Sequence, residues 1–156
     1  MRIGIVGCMG RVGQILVNEL RSGNWDGLEL AGGTALTADL AKAGDDFFVT
    51  DTPSELFDRA DAVIDFTAPA ATLEHAKLAA THKTALIVGT TGLSVDDEAT
   101  LKTAAEKTPI VYAANYSIGV NMLLALVEQA AARLTDGWDI DIFESHHKHK
   151  VDAPSG

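Results

Sequence analysis

The residues best suited to acid–base chemistry stand near the C-terminal end of the sequence, where residues 146–150 read HHKHK. Imidazole exchanges protons near neutral pH, and the lysine ammonium attracts anions. The chain as a whole carries a formal net charge of −10, so this basic run is a local exception. Three interpretations are open: a metal site, which the lysines and the lack of a nearby cysteine disfavour, a solvated basic turn, and a dicarboxylate-binding site with histidine as proton relay.

A glycine-rich loop stands at the other end of the chain. Gly7, Gly10 and Gly13 follow the first apolar run with the spacing G-x-x-G-x-x-G. Glycine permits a tight turn and lets backbone amides approach a pyrophosphate at the N-terminus of the next helix. The spacing differs from the usual G-x-G-x-x-G, and a strand–helix turn without this function can also hold three glycines. The loop's position, opening a series of strands and helices, favours a dinucleotide site.

The second strand lacks the acidic residue that usually holds the adenosine ribose. It ends at Thr34 and Ala35, where the dinucleotide fingerprint has Asp or Glu, and no arginine stands there to bind a 2′-phosphate. Lys42, in the following segment, is within reach of such a phosphate. The sequence therefore predicts modest selectivity between NADH and NADPH, with a slight preference for NADPH.

Apolar runs alternate with helical segments over the first three quarters of the chain. Runs that are apolar throughout, each followed by a helix, are typical of a parallel sheet covered on both faces. We therefore predict an α/β fold with a doubly wound, Rossmann-type parallel sheet. The predicted strands are 3–6, 28–31, 47–49, 62–66, 85–88 and 110–112. The predicted helices are 10–21, 70–82 and 95–106, the last capped by Ser94.

The pattern changes after residue 116. A long apolar helix is predicted over 118–134, and residues 138–143 (WDIDIF) alternate apolar and acidic side chains, the period of a half-solvated strand. Such a strand belongs to a second sheet. We expect a dinucleotide-binding domain over 1–117 and, over 118–156, the beginning of an α+β domain for substrate binding and oligomerisation.

Composition excludes several classes of partner. The net charge of −10 argues against binding to nucleic acid, which requires a basic face. No apolar run approaches the roughly 20 residues of a membrane-spanning helix. Cys8 is the only cysteine, and the start MRIGIVG lacks the pattern of a signal peptide. We therefore expect a cytoplasmic protein without membrane association.

Several segments resemble one known family. The run ESHHKHKVDAPSG over 144–156 closely resembles the signature of the 4-hydroxy-tetrahydrodipicolinate (dihydrodipicolinate) reductases. The segments 7–13, 64–67, 88–92 and 113–121 resemble the same family in the same order. The resemblance implies reduction of a cyclic dicarboxylate to tetrahydrodipicolinate by NADH or NADPH, in lysine and diaminopimelate biosynthesis. It also implies a homotetramer for the complete protein.

The resemblance also assigns roles to residues. His146 corresponds to the proposed proton donor/acceptor, and Lys150 corresponds to the lysine that donates a proton and polarises the substrate. His147, Ser155 and Gly156 correspond to contacts with the substrate carboxylates, and no metal site is implied. The residues that correspond to cofactor contacts are Gly7, Cys8, Met9, Gly10, Arg11, Val12, Gly89, Thr90, Thr91, Ala113, Ala114, Asn115 and Tyr116.

Two rival functions remain open. A different Rossmann oxidoreductase, such as a semialdehyde dehydrogenase, would need a catalytic cysteine in its second half, whereas the only cysteine is Cys8. A non-catalytic dinucleotide sensor would not need the run 146–150. The family signature continues past Gly156, so we expect the 156 residues alone to bind cofactor without useful turnover.

Overall fold

The computed structural model describes residues 1–134, 137–146 and 148. It contains two compact units, Met1–Ala113 and Ala114–Gly156. Within the described residues, no helix is long and apolar enough to cross a membrane.

The first unit is a six-stranded sheet whose neighbouring strands are all parallel, in the order β3-β2-β1-β4-β5-β6. This order reverses at β1, which confirms the doubly wound prediction. The strands are β1 Arg2–Val6, β2 Glu29–Thr34, β3 Val49–Thr50, β4 Ala62–Asp65, β5 Ala85–Val88 and β6 Ile110–Tyr112. The helices are α1 Arg11–Arg21, α2 Pro53–Arg59, α3 Pro69–His82 and α4 Val95–Ala105, with a short 3-10 helix at Thr37–Lys42.

Helices cover both faces of the sheet, which explains why the central strands are apolar throughout. One core joins the sheet to α2, α3 and α4, and includes Leu56, Phe57 and Ala76, each at most 1% exposed. The other core joins the sheet to α1 through Val17 and Ile5. Each central strand is buried on both faces. If its residues alternated between apolar and polar, the polar side chains would lie in one of the two cores.

The ends of two helices follow from local chemistry. Ser94 caps α4, as predicted: its side chain accepts from the Asp97 amide, and the Asp97 carboxylate accepts from the Ser94 amide in return. These hydrogen bonds from Ser94 lower the pKa of Asp97. Helix α3 ends at His82, and the next residue, Lys83, has a φ of 56°, in the left-handed region that stops helices.

β1 and β4 differ from their predicted bounds by one residue, β2 and β3 differ by more, and neither α2 nor the 3-10 helix is predicted from the sequence. β2 continues through Gly32 and Gly33 to Thr34, since Gly33 pairs with Ile5 of β1. A Cβ on Gly33 would lie 2.5 Å from the Cys8 Cβ, so the glycine is a close approach within the strand and does not end it. The third strand is Val49–Thr50, not 47–49, and α2 had been missed because its seven residues are too short for a clear helical period.

The second unit contains helix α5, Ile118–Ala131, which ends three residues before the predicted end at 134. The Ser117 side chain caps α5 by accepting from the Val120 amide. The prediction of a strand at 138–143 is wrong for this structure, because residues 137–146 form no strand within the described part of the chain. Alternation in the sequence supplies a face for burial, but a strand also requires a partner for its backbone hydrogen bonds.

Candidate functional site

A cavity of about 760 Å³ lies in the first unit at the carboxyl ends of the parallel strands. Its walls follow β1, β2, β3 and β4, so it spans the point at which the strand order reverses. Ligands of doubly wound folds bind at this point. The lining residues are Gly7, Met9, Gly10, Gln14, Thr34, Ala35, Leu36, Asp39, Lys42, Asp51, Pro53, Phe66, Thr67, Ala68, Ala71 and His75.

The glycine loop joins β1 to α1 and forms one wall of this cavity. Gly7 has a φ of +65°, in the left-handed region, and its carbonyl accepts from the Gly10 amide at 2.9 Å. A Cβ on Gly13 would lie 2.2 Å from the Gly7 carbonyl oxygen, so α1 packs directly on the loop. Gly7 and Gly13 therefore have a steric reason, a tight turn followed by close packing of the helix.

Besides the Gly10 amide, two further amides of the loop are already used within the fold. The Gly7 amide donates to Thr34 Oγ1 at 3.1 Å, and the Cys8 amide donates to the Thr34 carbonyl at 2.9 Å. Within the described residues, α1 has neither a side-chain cap nor an acid in its first turn. The first amides of α1 are thus left for an anion, and the helix dipole favours one there.

The side chains of the loop divide between core and cavity. Cys8 is 2% exposed and packs in the core beneath α1, where burial raises the pKa of its thiol. Met9 and Gly10 line the cavity, whereas Arg11 and Val12 begin α1 with exposed side chains that do not line it. Of the atoms of Arg11 and Val12, only the backbone amides are therefore placed for the predicted contacts with a cofactor.

The cavity wall beyond β2 carries an acid that the sequence analysis missed. Thr34 and Ala35 line the cavity as expected, but Asp39 lines it too, from the 3-10 helix. Asp39 Oδ1 lies 2.6 Å from Lys42 Nζ, and Lys42 also lines the cavity. An acid and a lysine thus stand together near the end of β2, where dinucleotide folds hold the adenosine ribose.

A buried polar network surrounds Asp65 at the end of β4. Asp65 is 0% exposed, and its Oδ1 accepts from the Thr67 amide at 2.9 Å, from Thr67 Oγ1 at 2.6 Å and from Thr90 Oγ1 at 3.3 Å. Thr90 Oγ1 in turn accepts from Thr72 Oγ1 at 2.8 Å and from the Thr67 amide at 3.1 Å. The network ties the loop after β4 to the loop after β5 and to α3.

His75 of α3 completes this network. Its Nδ1 lies 2.8 Å from Asp65 Oδ2, and its ring is 6% exposed and lines the cavity. Burial raises the pKa of Asp65, but hydrogen bonds from His75 and Thr67 outweigh burial and leave that pKa below its ordinary value. Asp65 is therefore a buried, ionised, fully hydrogen-bonded carboxylate.

The predicted contacts after β5 have mainly structural roles in the first unit. Thr90 is 2% exposed and its hydroxyl belongs to the Asp65 network. The Gly89 amide donates to the Asp65 carbonyl at 2.8 Å, and a Cβ on Gly89 would meet the Phe66 ring at 2.1 Å. Thr91 is exposed. This segment supports Thr67, which does line the cavity, by fixing the loop on which Thr67 stands.

The other predicted cofactor contacts follow β6. The Ala113 amide donates to the Val88 carbonyl at 3.2 Å and so extends the sheet by one bond. Ala114, Asn115 and Tyr116 begin the second unit. Asn115 Oδ1 accepts from the Ser117 amide at 2.8 Å, which orders the turn before α5.

Part of the predicted catalytic run is described. His146 Nδ1 lies 3.1 Å from Glu144 Oε2, and Lys148 is exposed. A carboxylate against one nitrogen of an imidazole is an arrangement that orients the ring for proton transfer. The predictions for Lys150, His147, Ser155 and Gly156 lie outside the described residues.

The residues missed by the sequence analysis gave only one readable signal. Asp65 ends the apolar run AVID, and a carboxylate at the end of a buried strand must find several donors. Thr67 and Thr90, which donate to it, and Thr72, which donates to Thr90, are common polar residues. His75 is one of two histidines in α3. Nothing in their spacing shows that they meet, because β4, α3 and β5 come together only in the folded sheet.

Comparison with known families gives two adjoining matches. The family model described as dihydrodipicolinate reductase, N-terminus, matches residues 1–116, and the model described as dihydrodipicolinate reductase, C-terminus, matches residues 119–156. Together they cover nearly all of the chain.

Individual proteins agree with these matches. The chain is 43% identical to 4-hydroxy-tetrahydrodipicolinate reductase of Rhizobium meliloti (strain 1021), covering 100% of this chain and 61% of that protein. It is 45% identical to the enzyme of that name from Burkholderia multivorans, covering 62% of it. A solved dipicolinate-bound dihydrodipicolinate reductase from Paenisporosarcina sp. TG-14 superposes with a TM-score of 0.76 at 28% identity, covering 100% of this chain and 62% of that one. The chain thus spans about three fifths of the length of these relatives.

We predict that Asp65→Asn lowers the free energy of unfolding more at neutral pH than in acid. The pKa of Asp65 is lowered by folding, so the ionised carboxylate stabilises the fold above its unfolded pKa of about 3.9. That contribution is lost as the pH falls through the lowered folded pKa. Urea unfolding at neutral pH and near pH 3 measures the difference in free energy of unfolding between the parent and the variant.

Thr72→Val serves as the control for this prediction. It removes a buried hydroxyl that donates to Thr90 in the same network, but it titrates no group. Its cost of about 1–3 kcal/mol should stay the same at both pH values. If the loss of unfolding free energy in Asp65→Asn were also the same at both pH values, the charge of Asp65 would add no stability.

Proposed function

Because the chain belongs to the dihydrodipicolinate reductase family, we propose that it supplies the dinucleotide-binding part of an enzyme that reduces 4-hydroxy-tetrahydrodipicolinate to tetrahydrodipicolinate. This reaction serves lysine and diaminopimelate biosynthesis in the cytoplasm. The observation that carries the proposal is the cavity at the reversal of the strand order, bounded by the glycine loop and the uncapped start of α1. A domain of this kind in this family has NADH or NADPH as its cofactor.

The residues that line the cavity fit such a cofactor. The amides at the start of α1 would hold the pyrophosphate, and Gly10 leaves room for it to approach. Thr34, Asp39 and Lys42 would face the adenosine ribose. The loop at Phe66–Ala68 would border the remainder of the dinucleotide. When bound, the cofactor supplies the hydride, and the protein orients it.

The chemistry of reduction fits the residues predicted for the substrate side. Hydride addition to a conjugated ring builds negative charge near the ring nitrogen and its carboxylates. In our proposal Lys150 stabilises this charge and His146, held by Glu144, transfers the proton. His147, Ser155 and Gly156 would bind the carboxylates of the substrate. The dipicolinate bound to the Paenisporosarcina relative supports a cyclic dicarboxylate as substrate, and the complete protein would act as a homotetramer.

The reaction is tested by replacing Lys150 with alanine in the complete enzyme. Removing a cation that acts mainly in the transition state should lower kcat by roughly 10²–10³-fold with little change in KM. The measurement is NADH oxidation with freshly generated substrate. Lys148→Ala, which removes an exposed lysine two positions away, is the matched control and should keep most of the activity. Equal activities of the two variants would remove Lys150 from the catalytic role.

The glycine loop is tested by a graded series at Gly10. A Cβ at this position would lie 3.2 Å from the Gly7 carbonyl oxygen, so alanine is tight but tolerable. The larger side chain of Gly10→Val would enter the cavity where the pyrophosphate must approach. We expect Gly10→Ala to weaken NADH binding slightly and Gly10→Val to weaken it at least tenfold, a cost of about 1.4 kcal/mol. Fluorescence titration with NADH measures both, and parent-like binding by Gly10→Val would contradict the assignment.

Selectivity between NADH and NADPH should be modest and should depend on the pair Asp39–Lys42. Lys42 favours a 2′-phosphate and Asp39 opposes it, so we expect a ratio of affinities below roughly a hundredfold, or about 2.7 kcal/mol. Lys42→Ala should weaken NADPH binding several-fold and leave NADH binding nearly unchanged. Lys77→Ala breaks an equivalent i,i+3 pair with Glu74 away from the cavity and should alter neither affinity. If Lys42→Ala weakened the binding of NADH and NADPH equally, Lys42 would not contact the 2′-phosphate.

A further inference from the structure

The pair Asp65–His75 places a histidine nitrogen in the cavity wall. His75 stands on α3, is 6% exposed and lines the cavity, while its Nδ1 lies 2.8 Å from Oδ2 of the fully buried Asp65. The ring is therefore anchored on one side in the protein interior. Its other nitrogen, Nε2, is the one left for a ligand.

The hydrogen bonds of Asp65 decide which nitrogen of His75 carries the proton. An ionised carboxylate only accepts, so Nδ1 must be the donor of the bond to Oδ2. Oδ1 already accepts from the Thr67 amide and from two threonine hydroxyls. In the neutral imidazole the proton on Nδ1 leaves Nε2 as an acceptor with a free lone pair.

The structure also shows that Nε2 is open to the cavity. No hydrogen bond is made to His75 Nε2 by any described residue. Over the same residues, every fully buried side-chain nitrogen or oxygen has a partner. Nε2, which has no such partner, must therefore be partly exposed, and it accounts for some of the 6% exposure of His75. Because the His75 side chain lines the cavity, Nε2 is exposed to the cavity.

The surroundings of His75 indicate which part of a dinucleotide it would meet. The cavity is lined near α2 and α3 by Pro53, Ala68 and Ala71, which offer an apolar wall for a flat ring. The same cavity includes residues that follow β2 and β3, the half of a doubly wound sheet that holds the adenosine moiety. Adenine combines an apolar face with an exocyclic amino group that donates hydrogen bonds.

We propose that Asp65 is a positioning residue that holds His75 as the Nδ1–H tautomer, so that Nε2 accepts a hydrogen bond from the adenine amino group of the bound dinucleotide. This inference rests on the proposed function, since it concerns the same cofactor. It assigns to the buried Asp65 a role in ligand specificity in addition to its structural role. The protein then distinguishes an amino group from a keto group at this position of the purine.

The experiment compares NADH with reduced nicotinamide hypoxanthine dinucleotide, in which a keto oxygen replaces the amino group. Two acceptors would face each other in that complex, so we expect the parent protein to bind NADH roughly tenfold more tightly. His75→Phe keeps a ring but offers no acceptor, and its ratio of affinities should fall toward one. Both affinities are measured by the fluorescence of the reduced nicotinamide, with the same 156-residue chain.

Asp65→Asn should invert the preference. The Thr67 amide requires an oxygen partner, so the asparagine would turn its Oδ1 toward Thr67 and its NH₂ toward His75. His75 Nδ1 must then accept, which moves the ring proton to Nε2. Nε2–H would donate to the keto oxygen, and the hypoxanthine cofactor should bind as well as NADH or better. Thr72→Val removes a hydroxyl that donates to Thr90 in the same network and makes no hydrogen bond to His75, so it should keep the parent's ratio.

The tautomer itself is observed by ¹⁵N NMR of the histidine side chains, assigned with His75→Phe. The proposal requires Nδ1–H in the parent and Nε2–H in Asp65→Asn. An Nε2–H ring or an imidazolium in the parent at pH 8 would overturn it, as would equal affinity of the parent for the two cofactors. Failure of both cofactors to bind would instead overturn the proposed function, and this inference with it.

Discussion

A buried charge at the end of β4 is the constraint on which the site depends. An ionised carboxylate without partners in the interior would cost several kcal/mol, so Asp65 must collect donors from whatever surrounds it. It does so from the loop that follows β4, from Thr90 after β5 and from His75 on α3. The loop after β4, the loop after β5 and α3 are therefore tied together by the hydrogen bonds that one buried side chain requires.

The second constraint is close packing at three glycines, where a side chain would collide with a neighbouring atom. Gly13 lets α1 lie on the Gly7 carbonyl, Gly33 lets β2 pass the Cys8 side chain, and Gly89 lets the Phe66 ring cover the loop after β5. A Cβ at each position would come within 2.5 Å of a neighbouring atom. The cavity is thus framed on one side by backbone packed against backbone and on the other by the Asp65 network. Both arrangements leave amides and one imidazole nitrogen facing the ligand space.

The pair Asp39–Lys42 differs from these constraints because it lies near the surface. Its lysine side chain is 70% exposed, so the ion pair itself adds little stability. It lies beside the end of β2 and lines the cavity, so in the proposed function its two opposite charges would act on the same ligand group in opposite directions. On the proposed function, a site built in this way would accept both dinucleotides, whereas a carboxylate in place of Thr34 or Ala35 would oppose a 2′-phosphate.

Much of the fold and part of the site could be derived from the sequence alone. Runs such as Ala85–Val88 are apolar throughout, and the serine before α4 is followed three residues later by an acid, so the alternation of strands and helices and the Ser94 cap depend on local chemistry. The glycine loop could also be recognised in the sequence, because the positive φ at Gly7 and the close approach at Gly13 favour glycine there. Resemblance to a family supplied the roles of His146 and Lys150, which spacing alone left open.

Other features were decided by the tertiary structure. The alternation at 138–143 predicted a strand, but a strand exists only where a second backbone offers hydrogen bonds, and this the sequence of one segment cannot show. Asp65, Thr90 and His75 meet because β4, β5 and α3 are neighbours in the sheet and its covering layer. The spacing of apolar residues along a segment indicates which of its faces is buried. The partners of a buried polar group depend instead on how segments distant in the chain pack together.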